Sequence, residues 1–145
     1  MKAVVQRVSQ ASVSINNTIT TSIDSGLCIF LGIHRHDTHD HIHWMIDKLL
    51  NLRIFSDDLG AMTYSVHDKR YSILVVSQFT LYGNCQKGRR PSFIEAAPAE
   101  IAEPIYNDFI SKLSQTYAKS TAGVFGAMME IQLINDGPVT LLLER

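Results

Sequence analysis

Long apolar runs are missing from this chain of 145 residues. None approaches the roughly 18 residues of a membrane-spanning helix. The opening "MKAVVQRV" enters an alternating pattern at once, without the apolar core of a secretory signal. Cysteine is scarce: Cys28 and Cys85 form no CxxC pair, and two cysteines do not staple a domain of this size. Cys28 lies in the apolar "GLCIFLGI" and reads as a small buried hydrophobe. The expectation is a protein of a reducing, cytoplasmic compartment. Charge of one sign is missing too, with 13 Lys and Arg against 14 Asp and Glu and a net charge of −1. Wholesale electrostatic capture of nucleic acid or membrane is excluded, so an anionic partner has to meet a local basic patch. Familiar catalytic signatures are absent as well. There is no HExxH, no GxSxG, and no Lys-Ser/Thr pair to complete a phosphate-binding loop in "GNCQKGRR".

What remains is an ordinary globular composition, 46% hydrophobic and 19% charged, long enough to bury a core in one domain spanning 1–145. "AVVQRVSQASVSI" alternates, then meets Asn16-Asn17 before "TITTSI", which predicts a hairpin because Asn tolerates the left-handed turn. "LCIFLGI" predicts a buried central strand. Asp37 or Thr38 can cap a helix from His39, along which Trp44, Met45, Lys48, Leu49 and Leu52 follow at helical spacing. "YSILVVSQFTLY" predicts a further strand, whose alternation puts Gln78 and Thr80 on one face and Ser77, Phe79 and Leu81 on the other. Pro98 suits the first turn of a second helix, with a stripe of Ile101, Ile105, Tyr106, Phe109, Ile110, Leu113 and Tyr117. "MMEIQLI" and "VTLLLE" read as two last strands joined by a turn at Asn135-Asp136-Gly137-Pro138. The fold class is α/β: one compact, mostly sheet domain with two main helices.

Three clusters carry candidate chemistry. "HRHDTHDHIHW" holds five of the six histidines, and His39 and His43 stand four apart, a spacing that suits a metal. A solvated helix start explains the same residues. Lys87, Arg89 and Arg90 form a compact cation group on a Gly-containing loop, either an ordinary basic surface or a phosphate contact for RNA or a nucleotide. Thr80 offers a hydroxyl, yet no His or carboxylate in its motif could activate it as a nucleophile.

"SQFTL" at 77–81 and "NDGPVT" at 135–140 occur in order, with "MKAVVQRVSQASV", "NLRIF" and "QKGRRPSF" around them. Together they resemble the D-aminoacyl-tRNA deacylases over essentially the whole chain. That resemblance implies a barrel-like sheet core and a homodimer with active sites at the subunit interface. It implies hydrolysis of the ester joining a D-amino acid to the 3′ end of tRNA, with no metal or other cofactor and neither membrane nor DNA as partner. It implies that Ser77, Gln78, Phe79 and Thr80 form the wall meeting the ester. Gly137-Pro138 would be a Gly-cis-Pro element reaching into the neighbouring subunit's pocket, with Arg7 near its base. Phe125 and Met129 would line the terminal adenosine pocket. Met128 departs from the pattern, standing where the family carries an acidic residue, and "TLLL" replaces an aromatic-rich ending. A backbone carbonyl held where an L side chain would project rejects L-amino acids whatever their identity, and leaves glycine admissible. The alternatives are a non-catalytic RNA-binding module on the same fold and a metal-dependent hydrolase built on His34–His43.

Overall fold

The computed structural model describes residues 1–145. Its frame is the N-terminal strand β1 (Lys2–Ile15), which has neighbours on both sides. Along one edge it pairs antiparallel with β3 (Gly26–Gly32) and, further on, with β2 (Thr18–Ile23). Along the other it pairs antiparallel with β8 (Glu130–Glu144) over almost its entire length. β6 (Ser72–Ser77) joins β3 in parallel, and β7 (Ser120–Ala122) joins β6 in parallel. The sheet therefore runs β2-β1-β3-β6-β7 with β8 on the far side of β1, a nearly closed barrel-like wrap. Asn16 and Asn17 make the β1–β2 turn with φ of 51° and 60°, as two adjacent asparagines allow.

Register decides which side chains face the core. Ala3 lies between Leu31 and Leu143, and Val5 between Ile29 and Leu141, so the odd positions in the first half of β1 point inward together. Two helices cover that face. Helix α1 (His39–Asn51) contributes Ile42, Met45, Ile46, Leu49 and Leu50, and helix α3 (Ala99–Thr116) contributes Ala102, Tyr106, Phe109 and Leu113. A short helix α2 (Val66–Lys69) and a small hairpin of β4 (Phe55–Ser56) and β5 (Met62–Tyr64), none visible in the sequence pattern, fill the β3–β6 crossover. A second, smaller cluster of Val8, Ala11, Val13, Ile23, Cys28, Leu74 and Val76 packs on the opposite face. Burial there pushes the Cys28 thiol up to about 12, leaving an inert small hydrophobe. Phe109 is fully buried in the main cluster. Phe109→Ala is therefore expected to cost about 3–5 kcal/mol in urea unfolding monitored by circular dichroism.

The structure corrects three details. The "YSILVVSQFTLY" strand ends at Ser77, and Phe79–Tyr82 is a 3-10 turn, so strand alternation does not order Gln78 to Leu81. Ile101 is 42% exposed, and its neighbour Ala102 takes the core-facing position. The tail is not two strands and a turn. It is the single strand β8, bulged where Val8 pairs with Asn135 and Gln6 with Thr140, so that Asp136–Val139 stand opposite Arg7 alone.

Candidate active site

The site starts from the end of β6. Gly32 closes β3, and a Cβ there would lie 3.1 Å from the Gln78 carbonyl oxygen and 3.2 Å from Leu81 Cβ. Glycine thus lets the Phe79–Tyr82 turn fold directly onto the strand end. The Gln78 N–H donates to the Leu31 carbonyl at 2.8 Å, and the Leu81 N–H reaches back to the Gln78 carbonyl at 3.3 Å. The N–H groups of Phe79 and Thr80, first in the turn, have no acceptor within it, and no other hydrogen bond of the chain uses them. The Gln78 Nε2 amide donates to Thr80 Oγ1 at 2.6 Å, so the two side chains do meet, through the turn rather than along a strand face.

Beside this turn lies a cleft of about 540 Å³, a volume typical of a small-molecule site. Ser77, Gln78 and Phe79 line one side, and Phe125 and Met129 the other. The Phe125 ring leans on Tyr106, whose hydroxyl donates to the Val75 carbonyl at 3.2 Å, tying that wall to α3 and β6. Burial raises the Tyr106 phenol above its ordinary range, so the ring stays neutral. The cleft also takes Ala97, Ala99 and Ala102, small residues at the start of α3 that the sequence reading passed over. Their signal was present in "AAPAEIA", where successive alanines leave room. Met128 stands at the mouth, 91% exposed. The lining contains no Asp, Glu, His, Cys, Lys or Tyr.

Arg7 and Gly137-Pro138 form a separate construction at the β8 bulge. The Gly137-Pro138 peptide is cis, and Gly137 has φ of +123°. Arg7, only 8% exposed, continues the inward row of Ala3 and Val5. Its Nη1 donates to the Ile54 carbonyl at 2.6 Å, its Nε to the Asp136 carbonyl at 3.1 Å, and Asp136 Oδ2 lies 3.1 Å away. Asn135 holds the other flank, accepting from the Val139 N–H at 2.9 Å and donating to Thr140 Oγ1 at 2.9 Å. Gly137 and Pro138 are themselves exposed and do not line the cleft of their own chain.

Lys87, Arg89 and Arg90 ride an exposed loop closed at its neck by reciprocal Asn84–Ser92 backbone bonds of 2.8 and 2.9 Å. The chain's ion pairs use other cations, namely Lys2, Arg7, Arg35 and Lys112 with the N-terminus and histidines. Three of the five clustered histidines are spent locally. His41 Nδ1 accepts from the Thr38 N–H at 2.9 Å and caps α1, His39 pairs with Asp108 at 2.7 Å, and His34 with Glu95 at 3.0 Å. The His34 hydrogen bond and the nearby Arg35 hold the Glu95 carboxyl below its usual range. No group of three or more His, Cys, Asp or Glu side chains is placed to hold a metal ion.

A nearly closed, barrel-like α/β wrap with one uncharged cleft at the end of β6 defines a class of small α/β proteins. Sequence comparison makes this specific: the D-Tyr-tRNA(Tyr) deacylase family model matches residues 4–144, and the chain belongs to that family. It is 49% identical over 144 residues to a D-aminoacyl-tRNA deacylase of Desulfotalea psychrophila, covering 99% of this chain and 97% of that one. A D-aminoacyl-tRNA deacylase of Halothermothrix orenii is 52% identical at the same coverage. Among solved structures, a c-Myc DNA unwinding element binding protein superposes with a TM-score of 0.95 at 47% identity, over 100% of this chain and 99% of the other. A probable eukaryotic D-amino acid tRNA deacylase matches in fold, with a TM-score of 0.87 at 16% identity over 98% and 97% of the two chains.

Proposed function

We propose that the protein hydrolyses the ester of D-aminoacyl-tRNA, releasing tRNA and the free D-amino acid, and that it works as a homodimer with active sites at the subunit interface. Family membership supports the reaction class. The observation that carries the chemistry is the pairing of an uncharged cleft with unused amides at its rim. Water adds to the ester carbonyl, and the N–H groups of Phe79 and Thr80 receive the developing oxyanion. The tetrahedral intermediate collapses by breaking the bond to the ribose oxygen, which leaves with a proton. Phe125 and Met129 sandwich the terminal adenosine, while Ser77 and Gln78 border the aminoacyl group.

Gly137-Pro138 serves the neighbour's cleft. It projects from β8, whose outer edge has no strand partner in the chain. Beside it Leu142, Val4 and Phe30 lie abreast on the outer face of the sheet, and Leu142 is 61% exposed. An apolar row of this kind suits burial against a second copy.

The test is incubation of the purified protein with D-tyrosyl-tRNA, L-tyrosyl-tRNA and glycyl-tRNA, with the amino acid released as the readout. Release from the D-ester and some from the glycyl ester, with the L-ester intact, is expected. A mobility shift without release would convert the reading to an RNA-binding module. Lost activity after chelation would return the histidine cluster to consideration. Lys87, Arg89 and Arg90 act as phosphate contacts for the single-stranded 3′ end. Replacing all three with Ala should flatten the log KM versus log salt slope by about 2.

A further inference from the structure

One side of Phe79 faces the cleft, and its ring meets Phe93 edge-on, with centroids 5.0 Å apart and planes at 70°. Phe93 does not line the cleft. It lies one residue beyond the Asn84–Ser92 neck that closes the Lys87–Arg90 loop, and it remains 37% exposed. Its seat is built. A Cβ on Gly83 would lie 2.9 Å from the Phe93 ring, so glycine at 83 is what admits the ring there. The aromatic surface thus continues out of the cleft, from Phe79 to Phe93, at the neck of a loop whose three cations form no ion pair with any carboxylate of the chain. The nearest acid along the chain, Glu95, is engaged by His34 and Arg35.

An exposed aromatic face beside free cations is the arrangement that binds unpaired nucleotides, with bases stacking on rings while the cations follow the phosphates. We infer that Phe93 is a binding residue for the unpaired nucleotide immediately preceding the terminal adenosine, with its base stacked on the Phe93 ring and its phosphate held by the Lys87–Arg90 loop. This rests on the deacylase reading and extends it to a subsite outside the cleft. The subsite tells an RNA end from a free aminoacyl nucleoside, and its continuity with the Phe79 edge brings the ester to the turn amides.

The experiment compares two esters, D-tyrosyl-adenosine and a D-tyrosyl trinucleotide ending in cytidine-cytidine-adenosine. The wild-type protein should prefer the trinucleotide in kcat/KM. Phe93→Ala should lower that preference on the order of 10-fold, mostly through KM. Phe93→Leu keeps an apolar packing partner for Phe79 but removes the aromatic face, and should behave like Phe93→Ala. Phe93→Trp should restore the preference. Equal losses on both esters, or a Phe93→Leu variant that keeps the preference, would reduce Phe93 to a prop for Phe79 and overturn the inference. A wild-type protein that hydrolyses both esters equally would overturn it too. Hydrolysis of neither ester would instead remove the deacylase reading on which the inference stands.

Discussion

A substrate whose terminal ribose carries hydrogen in place of the 2′-hydroxyl, with the D-amino acid on the 3′-oxygen, is expected to be hydrolysed about 10²–10⁴-fold more slowly, the range lost with a positioned acid–base group. Nothing in the lining of one subunit's cleft stands in that group's place, and the Asp136 carboxylate that flanks the Gly-Pro element is paired with Arg7. Besides Ser77 in the cleft wall, Thr80 is the hydroxyl that could attack. Its Oγ1 accepts from the Gln78 amide at 2.6 Å, and no imidazole or carboxylate bonds to it. His34, on the loop after β3, is engaged with Glu95. A threonine without a base is a poor nucleophile. Thr80→Ala should therefore keep single-turnover hydrolysis within about tenfold of wild type, since it removes a side chain and leaves the backbone donors in place. The same logic fixes the pH dependence. With no cleft carboxylate or imidazole to titrate, log kcat/KM should rise between pH 5 and 8 with no inflection beyond that of the substrate's own α-ammonium group. A bell-shaped profile, or a Thr80→Ala variant that is dead in single turnover, would put the chemistry back on the protein.

The frame of the molecule was legible because alternation and apolar runs record burial directly. The Asn16-Asn17 hairpin, the buried β3 strand and the helix from His39 all follow from that record. What periodicity misreads is where a strand stops. Phe79 and Leu81 continue the apolar alternation of β6, yet the backbone turns after Ser77 because Gly32 permits close approach. That approach is tertiary, and no local pattern reports it. The β8 bulge escapes for a similar reason. Gly-Pro between two strand-like segments is the mark of a turn, and only pairing with β1 on both flanks shows one strand with four residues opposite Arg7. Phe125, Met129 and the alanines of α3 meet across the cleft from distant positions, so spacing alone could not have joined them. The family motifs could name Phe125 and Met129, but not the alanines.

Gly137→Ala should raise hydrolysis of L-tyrosyl-tRNA relative to glycyl-tRNA by about 10²-fold or more, the scale on which a site built to exclude discriminates. The argument is steric and begins inside the bulge. A Cβ at Gly137 would lie 2.7 Å from Arg7 Nη2, 2.9 Å from Val139 Cγ2 and 3.2 Å from the Val139 nitrogen. Its φ of +123° is one that residues with a Cβ rarely adopt. Arg7 cannot retreat cheaply, because it is buried and holds the Ile54 and Asp136 carbonyls at 2.6 and 3.1 Å. Moving it would strand those acceptors and a buried charge. The loop must therefore give way, and the carbonyl proposed to occupy the space of an L side chain moves with it. The bracing by Asn135 and the long β1–β8 pairing should keep the fold intact, at a cost of about 1–3 kcal/mol for the strained backbone. Glycyl-tRNA is the proper reference, since a substrate without a side chain does not feel the gate and reports only general damage to the site. If the L-to-glycyl ratio stays at its wild-type value while thermal melting shows the expected modest destabilisation, the bulge has moved without consequence, and selectivity must be built from the cleft wall instead.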